Sequence, residues 1–451
     1  MPKQPTTIHS FPEQFAEASA GLIGSGLAWL DERRQTGIAQ FNDLGLPTTK
    51  LEAWKYTHLR SLDEAKFRSA RAEDADATVD LIPSLLPAGP VRPRLVFVNG
   101  FLRRDLSAAD GLPEGVHVEC MAEALERDPD WVAQHIGAAI EAEDNALLAL
   151  NTALMDSGVI IRVGAGVAVE QPIELVFMTG LTESPVAYHP RNLIVMEEGS
   201  EATLINHYAG AGTGAYFTNT ATEITIEDGA TLHHYRIQEE NRDATHIAGE
   251  HVRIARDATY DSFGLAVGGR MSRTEVFARL EGEGGHCRLS GAYMMRGREH
   301  CDNTTLIEHL VPNTSCREVF MGVLNDEARA VFQGRIVVHP DAQGTDGHQL
   351  SRALLLSDGA EMDTKPELEI YADDVKCSHG ATTGQLDETS LFYLRSRGIP
   401  EALARNLLVQ SFLGEALSEI ARDDVRDAMM DKIIHWLPAH CFLSGEWRDA
   451  S

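Results

Sequence analysis

A thiol and an imidazole stand two residues apart in the run EIYADDVKCSHGATTG (Glu369 to Gly384): Cys377 and His379. The run reads as a β-strand with this pair at its end. Residues i and i+2 of a strand share a face, so both side chains present together. Thiolate sulfur and neutral imidazole nitrogen suit zinc, iron–sulfur species and other thiophilic metals. Read alone, the pair also fits a small buried hydrophobe beside a satisfied edge histidine. Two donors leave a coordination sphere incomplete, so a metal here needs ligands from elsewhere in the fold or from another chain.

The other candidate donors are weaker. Among the 18 histidines, His233 and His234 adjoin and so point to opposite faces of a strand. These two, with His246, His251, His286, His300, His309, His339 and His348, read as polar faces of the body. Glu239-Glu240 and Asp373-Asp374 read as solvated charge. The six cysteines (Cys120, Cys287, Cys301, Cys316, Cys377 and Cys441) contain no CxxC pair, which argues against a closed zinc site or a disulfide framework. No GxxxxGK[ST] phosphate loop, GxSxG elbow or HExxH helix appears, and GAGTG (Gly210 to Gly214) runs into a strand pattern rather than a helix.

Three regions must position the Cys-His pair: 1–156, 157–386 and 387–451. The first opens with a helical pattern, FAEASAGLIGSGLAWLDERRQTGIAQF. LEAWKYTHLRSL follows, with Trp54 and Tyr56 as anchors onto the body. Residues 70 to 93 read as a loop. RLVFVNGFLRRDL reads as a strand, an Asn99-Gly100 turn and a second strand, and Asp130 to Leu154 as a helix. In the second region, short β-branched runs alternate with Gly and Asp corners. Gly199, Gly229, Asp257 and Gly285 are spaced by 30, 28 and 28 residues, and Cys287-Arg288 recurs 29 residues later as Cys316-Arg317. A fixed period of this size marks a solenoid whose units bury their apolar faces on one another, here a β-helix or related stacked β-fold; a β-sandwich would also show many short strands but would not require the period. The tail is helical: Asp387 is a plausible N-cap, Gly398-Ile399-Pro400 stops one helix and starts the next, and Val409, Phe412, Leu413, Ala416 and Ile420 form one apolar stripe. That stripe either caps the solenoid's open end or docks a partner.

Composition narrows the function. The chain has 451 residues, 43% hydrophobic and 24% charged, ordinary for a folded protein larger than one typical domain. A formal charge of −29 argues against binding nucleic-acid backbones or an anionic membrane surface. No run approaches a membrane span, and MPKQPTTIHSFPEQFAEASA lacks the apolar core of an export signal, so a cytoplasmic protein with reduced thiols is expected.

EIYADDVKCSHGATTG followed by LFYLRSRGIP (Leu391 to Pro400) closely resembles the C-terminal signature of the SufB/SufD family of the SUF iron–sulfur cluster assembly machinery. LEAWKYT and TKPELEI (Thr364 to Ile370) fit its SufD branch. The SufB branch carries a cysteine before the T-x-P segment and an E-H-E trio before A-T-T. Here Ala360 stands near the first position, and the trio reads Ser378-His379-Gly380. The resemblance covers most of the chain and implies a right-handed parallel β-helix flanked by helical regions. It implies a non-catalytic scaffold subunit that pairs with a SufB-like paralogue through the β-helix and binds a SufC-like ABC-type ATPase through the C-terminal helices. Phe392, Arg395, Arg397, Val409, Phe412 and Leu413 are then the docking candidates. It further implies a transient iron–sulfur cluster at the inter-subunit interface, with His379 as metal ligand and Cys377 beside it. No cofactor is expected to be held tightly by the isolated chain, and a homodimer is conceivable when the partner is absent. From a different class, a β-helix enzyme acting on polysaccharide would use carboxylates such as Asp257, Asp261 or Glu275 as acid and base.

Overall fold

The computed structural model describes residues 11–437 apart from 61, 63–66, 77–82, 87–91, 109–110, 141–144 and 183; Cys441 lies outside these residues. Alternating β-branched and polar residues between left-handed corners form a parallel β-solenoid of about eight turns, running from Val159–Val163 to Val375–Gly384. From Arg191–Met196 onward, successive strands belong alternately to two sheets, and each strand pairs with the one two places later. Thr245–Ile254, for instance, lies in unbroken register on Met271–Leu280. Cys287 pairs with Cys316 and Arg288 with Arg317, the repeat visible in the sequence.

The corners hold the period. Gly199, Gly229 and Asp257 have φ of 64°, 66° and 55°, a region open to glycine and tolerated by Asp and Asn. Their amides donate to the carbonyls of Asp228, Arg256 and Glu283 on the next coil, at 2.8, 2.8 and 3.0 Å. The following corner is Gly284 (φ 77°) rather than the expected Gly285, so the spacing from Asp257 closes to 27. Inside, columns such as Ile226, Ile254, Leu280 and Ala230, Ala258 are fully buried. Each buried Ile or Leu contributes roughly 1.5–3 kcal/mol.

Helices cover one outer flank at the N-terminal side. Phe11–Ala18, Ala28–Leu44 and Ala146–Leu154 pack against Phe217, Ile247 and Met271. The expected single helical stretch at the start is two helices, because GLIGSG places Gly24 and Gly26 at φ 67° and 93°. The stretch Asp130 to Leu154 likewise divides into Pro129–His135 and Ala146–Leu154. The Asn99-Gly100 turn lies between strands Arg94–Val98 and Phe101–Leu102 as expected. Within residues 70–93, a short helix at Ala72–Asp76 interrupts the expected loop. Trp54 is a buried anchor: the Arg273 guanidinium lies 4.0 Å over its ring, and the Ala53 carbonyl accepts from Arg273 and Gln333.

The tail forms three helices, Glu388–Ser396, Glu401–Leu417 and Asp423–Trp436, and Asp387 caps the first by accepting from the Thr389 and Ser390 amides. Its apolar stripe neither caps the solenoid end nor remains free. Val409, Phe412, Leu413, Ala416 and Ile420 pack on the outer face of the solenoid's own sheet, against Val319, Met321 and Val323. Lys432 to Glu239 (2.7 Å) and Arg317 to Glu419 (2.9 Å) fasten the tail there. Among the described residues no helix is long and apolar enough to cross a membrane.

Candidate functional site at the open end of the solenoid

Cys377 and His379 lie in the first half of the last strand, Val375–Gly384, rather than at a strand end. That strand is in unbroken register with Thr345–Leu355, so side-chain alternation is strict. Val375 and Cys377 pack on the inner core, which puts His379 on the inner face as well. His379 is nonetheless exposed, because the last strands of both sheets, Glu361–Ile370 and Val375–Gly384, have no coil beyond them. The opposite wall of this mouth includes Met362 and Leu368, which also pack on the inner core. The pair does present together, and it does so at the rim of the solenoid's interior.

The register names what lies beneath. Below Cys377 come Gly347, Cys316 and Cys287 in one column. The Cys316 Sγ lies 3.2 Å from His309 Nε2, and burial pushes the Cys287 and Cys316 thiols well above their usual range. Burial also lowers His309 to about 4, so these are neutral core groups. Cys377 is half-buried, and its thiol is raised too, first by burial and also by the neighbouring Asp346. Below His379 come Gln349 and then Glu318, both buried. Gln349 Nε2 donates to Glu318 Oε2 at 2.5 Å. Burial raises the Glu318 carboxyl to about 7, opposed by the hydrogen bond from Gln349.

Several readings change with these positions. His234, His246, His251 and His309 are buried rather than spread over polar faces. Glu240 is buried beside His246, and Glu239 accepts from Lys432, so neither is simply solvated. Asp257 stands at a corner, Asp261 faces His233, and Glu275 pairs with Arg273. Those carboxylates therefore serve three separate local structures instead of facing each other as acid and base. Of the docking candidates, Val409, Phe412 and Leu413 are buried against the solenoid's own sheet. Phe392, Arg395 and Arg397 lie on the exposed first tail helix and its C-terminal end. Phe392 is 72% exposed, Arg395 meets Glu401 at 3.3 Å, and Arg397 stacks over Tyr393 at 4.2 Å.

The sequence reading missed Glu318 and Gln349. The column steps by 29, 31 and 30 residues (287, 316, 347, 377), so the 29-residue repeat visible in the sequence does not carry position 379 onto 349 and 318; only the strand register does. Among the described residues no group of three or more His, Cys, Asp or Glu is arranged to hold a metal.

A parallel β-solenoid with helical extensions, carrying a thiol and an imidazole at the rim of its uncovered end, defines the class of protein. Two family models cover nearly its whole length: the SufBD protein N-terminal region at residues 6–175, and the SUF system FeS cluster assembly SufBD core domain at residues 177–412. The chain is 35% identical over 407 residues to the iron–sulfur cluster assembly protein SufD of Escherichia coli, covering 90% of this chain and 92% of that one. It is 30% identical over 415 residues to an iron–sulfur cluster assembly SufBD family protein of Synechocystis (90% and 91%), and 26% identical over 415 residues to SufD of Bacillus subtilis (90% and 93%). The chain belongs to the SufB/SufD family, and its role is in iron–sulfur cluster assembly.

Proposed function

We propose that this chain is the SufD-type scaffold subunit of a cytoplasmic SUF complex and performs no chemistry alone. Its solenoid mouth pairs with a SufB-like paralogue, and a nascent iron–sulfur cluster is handled as cargo at that interface, with His379 as a ligand from this side and Cys377 behind it. The carrying observation is that His379 sits on the inner face of an uncovered last coil, where a second chain could complete the ligand set. Imidazole nitrogen is a competent iron donor, and the exposed ring leaves it accessible. A SufC-like ABC-type ATPase docks on the first tail helix, where Phe392 and Tyr393 expose 72% and 54% of their surface beside Arg395 and Arg397. The buried part of the tail holds that helix in place, so ATP-driven motion of the partner is transmitted through Val409, Phe412 and Leu413 to the solenoid.

The test is anaerobic co-purification of the tagged chain with SufB-like and SufC-like subunits. A stoichiometric complex containing iron and sulfide is expected, and His379→Ala should lower its iron and sulfide content while leaving the subunits together. A chain that emerges alone, or as a homodimer that the paralogue cannot open, refutes the partnering. Unchanged cluster content in His379→Ala refutes the ligand role.

A further inference from the structure

The buried amide beneath His379 is incompletely satisfied. Gln349 is 3% exposed; its Nε2 donates to Glu318, but its Oε1 is shielded from solvent and accepts no hydrogen bond. An orphaned buried acceptor costs about 1–3 kcal/mol, so its persistence calls for an explanation. Glu318 likewise has one oxygen, Oε1, without a partner. The two residues form a short buried polar column, with Thr305 beside Glu318.

The surroundings favour this arrangement. Gly334, on the facing sheet, leaves the space the amide occupies; a Cβ there would overlap Gln349 Nε2. Glu318 receives the amide's NH2, which leaves the carbonyl end as the free acceptor. Gln349 and His379 are directly paired in register, their Cα atoms one strand spacing apart, about 4.8 Å, with both side chains on the inner face. His379 is the next residue of the column, and a neutral imidazole has one N–H to donate.

We propose that Gln349 is a positioning residue for His379: rotation of the ring about its side-chain bonds brings one N–H onto the vacant Gln349 Oε1, which fixes the tautomer and turns the other nitrogen's lone pair out of the mouth. Glu318 holds the amide in the orientation that makes this possible. A metal-ligating histidine held through its second nitrogen is a stronger and better aimed donor than one rotating freely. The inference rests on the reading of His379 as a cluster ligand, but the ring's orientation can be measured without any cluster.

The experiment is 15N NMR of the lone chain labelled in its histidine rings, at a pH where the exposed ring is neutral, with His379→Gln to assign the signal. One tautomer is expected in the wild type and a mixture in Gln349→Leu and Gln349→Met. The exchange Glu318→Gln with Gln349→Glu keeps an acceptor at position 349 and should restore the single tautomer. In the complex with the partner subunits, anaerobic Fe(II) titration of Gln349→Met should show about ten-fold weaker binding. A His379 tautomer that ignores Gln349 overturns the proposal, even if iron binding falls, since that would report a packing defect. If the tautomer responds but His379→Ala leaves cluster content intact, the positioning stands and the ligand role fails.

Discussion

Replacing Glu318 by Gln should stabilise the protein, and only above acidic pH. Glu318 is 1% exposed, and burial raises its carboxyl from the ordinary 4.5 to about 7, with no cation among its partners. Below pH 4.5 the folded and unfolded chains both hold the proton. Between 4.5 and 7 the unfolded chain has released it while the folded chain keeps it, so folded-state stability falls as pH rises. Above 7 both are ionised and the loss is complete. At 1.36 kcal/mol per pH unit, this rise amounts to roughly 3 kcal/mol. Glutamine keeps the shape and an acceptor for Gln349 but never ionises. The variant should therefore match the wild type near pH 4.5 and exceed it by about 3 kcal/mol at pH 8. Other groups titrate too. His189 and His251 are pushed down to about 3 and His234 and His309 to about 4, which erodes stability as pH falls below 6.5, while Asp156 is raised to about 7. These act equally in both chains and cancel in the difference. Urea unfolding followed by tryptophan fluorescence from pH 4.5 to 8 measures the gap. A gap that is constant with pH, or that favours the wild type at pH 8, refutes the buried-acid account.

Two packing predictions follow from named contacts. Phe412 is 8% exposed, lies under the Arg352 guanidinium at 5.3 Å and packs with the outer-face residues Val319 and Met321. Phe412→Ala should cost about 3–5 kcal/mol of tail docking, so limited proteolysis should release the tail while the solenoid survives; equal loss of both would refute separate docking. Gly322 lies beneath the Tyr293 ring, where a Cβ would fall on ring carbons, and the Tyr293 hydroxyl meets Met362 Sδ at 3.3 Å. Gly322→Ala should lower stability by roughly 1–3 kcal/mol, and Tyr293→Leu should rescue part of it in denaturant melts; no rescue would locate the strain elsewhere.

Much of this architecture was legible because its signals are local and repeat. Corner glycines announce a left-handed backbone, and a fixed spacing announces a stack. Asp387 announces a helix start through the two amides it caps. The motif around Cys377 and His379 could be found, and their shared face deduced, from alternation alone. The interior polar residues were not legible in the same way. A Glu or Gln in an alternating strand reads as solvent-facing unless the inner parity is known, and Glu318, Gln349, Glu240 and His246 are inward or buried against that habit. The apolar stripe at Phe412 was visible, but amphipathicity says only that a face must be covered and leaves the covering surface open. The solenoid's own flank covers it, a long-range packing choice that no local pattern encodes.

The two ends of the solenoid are treated differently, and the difference bears on the site. At the N-terminal end both sheets are closed by antiparallel strands: Phe101–Leu102 on Arg94–Val98 in one, and Val116–Cys120 on Val159–Val163 in the other. Antiparallel turns reverse the chain and stop further parallel addition there. At the opposite end Glu361–Ile370 and Val375–Gly384, ten residues each, terminate their sheets with no such reversal. A regular uncovered edge of that length is a liability unless something pairs with it. The tail helices could have covered it, yet they lie along the flank, held by the stripe at Phe412 and the Arg317–Glu419 and Lys432–Glu239 pairs. Ile370 and Tyr371, at the turn between the two last strands, add exposed apolar surface beside His379's coil. An end kept open while covering material is fastened elsewhere fits the pairing with a second chain proposed above. It also explains why the only half-buried thiol among the described cysteines, and the imidazole beside it, stand on the last coil rather than within the stack.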